Sequence, residues 1–101
     1  MSLRLLAGAK REPMDAAEYY ENQRSGLGDD FLDEVAAALQ RLNRWRHSGP
    51  ASDAGYRRCL IRRFPYALIY RPNDGEIVIV AVMHLKRRPG YWIRRVRREN
   101  T

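Results

Sequence analysis

The chain of 101 residues has a single cysteine, Cys59, so it cannot close an internal disulfide or offer a thiolate pair to zinc. Its two histidines, His47 and His84, fall on different predicted elements and outline no metal site. No stretch reaches the ~18 apolar residues that a membrane-crossing helix needs. The first residues lack the charged-then-apolar plan of a secretion signal. There is no glycine-rich phosphate loop and no nucleophile elbow; Ser2, Ser25, Ser48 and Ser52 all lie in loop or terminal settings. These absences point away from zinc enzymes, P-loop proteins, serine hydrolases and membrane spans. The expectation is a cytoplasmic protein with no cofactor and no metal.

Two further scarcities are more telling. Lysine occurs twice, against seventeen arginines, and acidic residues thin out along the chain. Residues 1–50 hold seven basic and eight acidic side chains; residues 51–101 hold twelve and four. The whole net charge of +7 therefore sits in the second half. Such asymmetry suits a nucleic acid or an acidic protein surface as partner. Arginine is the cation for bidentate contacts with phosphate and carboxylate. The length fits one domain, which buries only roughly 60–65% of its unfolded surface.

Hydrophobic patterning divides the chain into six elements. Ser2–Ala7 alternates and predicts a strand. A helix is expected from about Ala9 to Arg24, with Pro13 in its first turn, an apolar stripe of Met14, Ala17 and Tyr20, and Gly26 beyond its end. A second helix starts near Asp29 and stops before Gly49-Pro50, since Phe31, Val35, Leu39 and Leu42 recur at helical spacing. Its acidic start and arginine-rich end complement the helix dipole. Three strands follow, Tyr56–Phe64, Tyr66–Arg71 and Glu76–Leu85, with a bend at Pro65 and a hairpin turn at Pro72-Asn73-Asp74-Gly75. The last strand is apolar on both faces, with Ile77, Ile79, Ala81 and Met83 on one and Val78, Val80, Val82 and His84 on the other. Two helices cover one face of such a sheet; the other awaits the C-terminal tail or a partner. In the tail, Trp92, Ile93 and Val96 allow a short helix, with a frayed basic segment as the alternative. The fold class is two-layer α+β: an N-terminal strand, an α-helical hairpin, and a three-stranded antiparallel meander completing one sheet, in the order β-α-α-β-β-β. Residues 1–92 form the domain and 93–101 a basic C-terminal tail.

Two chemistries compete for the basic half. His84, Arg88 and Tyr91, with Arg62 and Arg71 on neighbouring strands, could cleave RNA without metal. Histidine or tyrosine would move protons and arginines would hold the phosphorane. Alternatively His84 ends its strand with a backbone hydrogen bond, while Arg87, Arg88, Tyr91, Trp92, Arg94 and Arg95 contact a protein.

The segments YYENQRSGLGDDFLDEV (Tyr19–Val35), RRFPYALIY (Arg62–Tyr70) and AVMHLKRRPGYW (Ala81–Trp92), with the strand–αα–strands order, resemble the ParE/RelE superfamily of type II toxins. The Phe64-Pro65-Tyr66 step and the His84–Pro89 ending carry most of the likeness, which is closer to the ParE and plasmid-stabilisation branch than to RelE. The resemblance implies a bacterial growth inhibitor neutralised by an acidic-tailed antitoxin in a toxin–antitoxin hetero-oligomer. ParE-like members inhibit DNA gyrase; RelE-like members cut mRNA on the ribosome. On this reading Arg87, Arg88, Tyr91, Trp92, Arg94 and Arg95 meet gyrase. Phe31, Val35, Leu39, Val78, Val80 and Val82 meet the antitoxin. Whether the chain is an enzyme stays open. If it is a RelE-type endoribonuclease, Arg62, Arg71, His84, Arg88 and Tyr91 are its candidates.

Overall fold

A computed structural model of the chain describes residues 2–44, 55–73 and 75–99. It contains β1 (Ser2–Leu5), α1 (Ala7–Gln23), α2 (Leu27–Arg44), β2 (Arg57–Leu60), β3 (Tyr66–Asn73), β4 (Glu76–His84) and α3 (Ile93–Glu99). The four strands form one sheet in the order β1-β4-β3-β2. The three later strands form the expected antiparallel meander, and β1 joins β4 in parallel, a pairing the sequence pattern leaves open. The expected loop Gly49–Gly55 and the Asp74 position of the hairpin turn lie mostly outside the described residues; Gly75 takes the turn's positive φ of 68°.

The helical hairpin is tied at its corner by Glu21. Its carboxylate accepts the Gly26 and Gly28 amides, both at 2.9 Å, and so satisfies orphan donors at the start of α2. A Cβ at Gly28 would stand 2.6 Å from the Ala17 carbonyl, so only glycine lets the helices approach this closely. Pro13 is not in the first turn. The helix starts at Ala7, directly after β1, which places Pro13 in its interior with the ring buried. The buried face is Ala9, Pro13, Ala16 and Ala17, and Met14 is 59% exposed, so the expected Met14 stripe is rotated on the helix. In α2 Phe31, Val35 and Leu42 of the predicted stripe are buried against the sheet together with Ala38, and Leu39 is half-buried beside them.

The strand expected over Tyr56–Phe64 ends at Leu60. Pro65 has no N–H, Arg63 takes a φ of 72°, and the Tyr66 amide bonds the Phe64 carbonyl at 2.8 Å, so the chain turns instead of extending. This turn presents Phe64 and Tyr66 to α1 and α2. The Phe31 ring lies 5.1 Å from Phe64 and 5.0 Å from Tyr66, and Tyr20 lies 4.8 Å from Phe64. Tyr66 and Tyr70 share the helix-side core.

The two faces of β4 differ from the expected alternation. Ile69 pairs with Ala81 and Tyr70 with Ile79, leaving Val80 without a partner on β3. This β-bulge shifts the phase by one residue. Ile77, Ile79 and Val82 belong to the helix-side core, whereas Val80, Ala81 and Met83 belong to a second core on the opposite face. The C-terminal segment covers that second face. Trp92 is 2% exposed and meets Tyr56 edge-on at 4.8 Å, and Ile93 and Val96 of α3 pack beside it.

Candidate functional site

β1 is short, so β4 outruns it. The Leu6 amide makes the last contact, to the Ile79 carbonyl at 3.0 Å, and the chain then enters α1. From Val80 onward the edge of β4 needs other partners, because unpaired ladder groups carry a desolvation cost. Two side chains provide them. The Val80 carbonyl, at the bulge, accepts from Arg95 Nη1 at 3.1 Å. The Val82 amide donates to Glu12 Oε1 at 2.9 Å.

Glu12 is the centre of this edge. Arg95 grips it fork on fork, with Nη1 to Oε1 at 2.9 Å and Nη2 to Oε2 at 3.2 Å. The Tyr91 hydroxyl donates to Oε2, and Arg87 lies at 3.7 Å from the same oxygen. The Arg87 guanidinium also sits 3.8 Å from the centre of the Tyr91 ring, a cation–π distance. Gly8 makes room for the Arg95 guanidinium: a Cβ there would lie 2.6 Å from it. Burial, the hydrogen bond to Glu12 and the Glu12 charge push the Tyr91 hydroxyl well above the ordinary tyrosine range, with Arg95 and Arg87 acting the other way. Tyr91 therefore holds its proton at neutral pH and acts here as a donor.

This arrangement reassigns several residues. Tyr91 and Arg95 are engaged inside the fold. Trp92 is interior and offers no surface to a partner, because its indole completes the second core. What remains outward on this side is a rim of Lys86, Arg87, Arg88 and Arg94. Among the residues expected to meet an antitoxin, Phe31, Val35, Val80 and Val82 are core side chains, 5% exposed or less. Leu39 is half-buried against the helix-side core. Val78 opens into a groove of about 160 Å³ on the second face, with Arg4, Tyr56, Arg71 and Val96.

The residues named for RNA cleavage are dispersed. Arg71 stands over the Tyr56 ring, 5.7 Å from its centre, on the second face. Arg62 belongs to a notch beside the end of α2. His84 lines a third hollow, of about 230 Å³ between α1 and β4, with Tyr19, Tyr66 and Arg87. The Lys86 amide donates to His84 Nδ1 at 3.0 Å and the imidazole meets the Tyr66 ring at 5.0 Å, so the histidine closes its strand through a backbone hydrogen bond. Burial first, then the neighbouring Tyr20, Tyr19 and Glu12, raises the Tyr66 hydroxyl above its usual range. His84 and Arg87 share a hollow; Arg62 and Arg71 lie elsewhere. Among the described residues no cluster of three or more His, Cys, Asp or Glu side chains could hold a metal. None of their helices is long and apolar enough to cross a membrane.

Glu12 itself was not singled out from the sequence. The available signal was its phase: it lies three residues after Ala9 and four before Ala16, on the buried stripe of α1, where a carboxylate needs a partner.

The molecule is thus a small, basic α+β domain whose helical hairpin covers one sheet face and whose arginine-rich C-terminal segment covers the other. A family model described as the ParE toxin of the type II toxin-antitoxin system parDE matches residues 3–89. The chain belongs to this ParE toxin family. A chain of the chromosomal ParDE TA system from P. aeruginosa shares the fold, with a TM-score of 0.65 at 17% identity, covering 85% of this chain and 97% of that one. No curated protein sequence matches this chain.

Proposed function

We propose that this protein arrests growth by binding DNA gyrase through protein–protein contact and is held inactive by a cognate antitoxin in a toxin–antitoxin hetero-oligomer. The family match over residues 3–89 carries the reading. The target surface is the outward rim Lys86, Arg87, Arg88 and Arg94. Glu12, Tyr91, Trp92 and Arg95 position that rim: one carboxylate ties the segment to the β4 edge and one indole ties it to the sheet. The antitoxin would use apolar surface that the fold leaves open, above all Met14 and Tyr19 on α1, each 59% exposed, of which Tyr19 lines the His84 hollow. The structural relative comes from a ParDE system, which supports an antitoxin as partner. The cytoplasm, where gyrase works, is the corresponding location.

The dispersal of Arg62, Arg71 and His84 over three separate hollows favours this reading over RelE-type mRNA cleavage, which needs a base and an acid aimed at one phosphate. The test is to express the chain alone and assay gyrase supercoiling and mRNA integrity together. Blocked supercoiling with intact mRNA is expected, and Arg87→Glu/Arg88→Glu should relieve it. Codon-linked cuts in translated mRNA with normal supercoiling would replace the proposal with the ribonuclease. Removing residues 87–101 is a poor test, since it strips Trp92, Ile93 and Val96 from the second core.

A further inference from the structure

The sheet has a second edge, at β2. Its outward Leu60 carbonyl accepts from Arg41 Nη2 at 2.9 Å. Arg44 follows Arg41 by three positions, on the same face of α2. Arg62, from the turn between β2 and β3, faces the same space, and Ala37 and Gln40 complete a notch of about 390 Å³. None of these five lining residues is acidic. The next residue, Arg63, takes a positive φ and turns away to pair with Asp30 at 3.5 Å. No ion pair of Arg44 or Arg62 occurs among the described residues. The nearest acid before Arg41 on α2, Glu34, precedes it by seven positions, roughly 10 Å along a helix, and so lies beyond the ~8 Å screening length at physiological salt.

We propose that Arg41, Arg44 and Arg62 form a phosphate-binding notch that takes the backbone of a nucleic acid. Three guanidiniums converge from two elements, and one of them is already oriented by the Leu60 carbonyl. Guanidinium forks match phosphate oxygens bidentately. The lining also separates nucleic acid from an acidic protein. Protein interfaces are anchored by buried aromatic or aliphatic side chains, whereas nucleic-acid interfaces are polar and strongly positive. The notch holds no apolar side chain larger than the Ala37 methyl. Among the described residues the large exposed apolar side chains are Met14 and Tyr19 on α1, Leu60 on β2 and Leu85 after β4, and none of them lines the notch. Among the described residues the notch lining is acid-free where the Glu12 site is acid-centred, so its charge suits an anionic ligand.

The inference goes beyond the gyrase reading, and its test contains no gyrase, so the two fail separately. A labelled short DNA duplex is titrated with the purified full chain and followed by fluorescence anisotropy between roughly 50 and 200 mM salt. Arg44→Gln/Arg62→Gln should weaken binding about tenfold or more at the low end and lower the slope of log affinity against log salt by about 2. Both side chains are exposed, and an unchanged circular dichroism spectrum checks the fold. Arg11→Gln/Arg24→Gln, which removes the same charge from α1 and the residue that ends it, should stay within about twofold of wild type. Equal loss in both double variants, or no loss in the first, overturns the notch. A poly-glutamate peptide of matched charge should fail to displace the duplex; displacement that the notch variant abolishes would overturn nucleic acid as the occupant.

Discussion

The two edges of the sheet use the same residue for opposite ends. At the β4 edge, arginine meets a carboxylate: Glu12 gathers Arg95, Arg87, the Tyr91 hydroxyl and the Val82 amide around one charge. At the β2 edge, Arg41 meets a carbonyl, that of Leu60. The first cluster is spent on structure except for Arg87, which stays 54% exposed at its margin. Its other members are partly buried, with Arg95 24% and Glu12 14% exposed at the side chain, and they join α1, β4 and α3. The second is positive charge with no acid in its lining among the described residues. An arginine count alone does not measure binding capacity in this chain; where the acids lie decides which arginines are available.

Substitutions sharpen this contrast, and the largest effects belong to the β4 side. Trp92→Ala should cost about 3–5 kcal/mol, because it empties the second core beside Tyr56. Urea denaturation measures it, and a loss below about 1 kcal/mol would show that the C-terminal segment is an appendage. Next comes Glu12→Ala, at about 3 kcal/mol, since it leaves the Val82 amide and the Arg95 guanidinium half-buried without their acceptor. Smaller is Tyr91→Phe, about 1–2 kcal/mol for one charge-assisted hydrogen bond. Its pH dependence has a definite sign. The folded hydroxyl titrates higher than the unfolded one, so the wild-type advantage is fully present below about pH 10 and is lost as pH rises beyond it. Denaturation of both proteins at neutral and at strongly alkaline pH should show the gap closing. The smallest effect belongs to the β2 edge: Arg44→Gln/Arg62→Gln should stay within about 0.5 kcal/mol of wild type, as expected of side chains that hold nothing together. A large loss there would erase the contrast.

Local rules made much of the architecture legible. The helix over Phe31–Leu42 was readable from one period, and the β3–β4 hairpin from Pro72 and Gly75, because each signal spans a few residues. The β4 bulge was not, because a strand of Ile, Val, Ala and Met looks the same in either phase. Trp92 among arginines looked like a contact residue, yet tertiary packing against Tyr56, thirty-six positions earlier, makes it core. Glu12 gave only a weak hint. Its partners Tyr91 and Arg95 lie about eighty residues away, and no local pattern encodes a pairing of that range. The candidate site was therefore legible as a charge distribution and illegible as a set of partners. Family resemblance supplied the biological frame that the residues alone left open between two chemistries.

The bulge at Val80 has one more consequence. Because every residue from Ile77 to Met83 is apolar, β4 is degenerate as a code: slid by one position, it still presents grease to both layers. Burial by itself cannot tell the correct alignment from its neighbour. The choice falls to the polar groups at the margin. In the observed alignment the bulge aims the Val80 carbonyl at Arg95 and leaves the Val82 amide for Glu12. The carboxylate on α1 works as an index mark on an otherwise blank scale, and the exactness of the sheet is written at its rim.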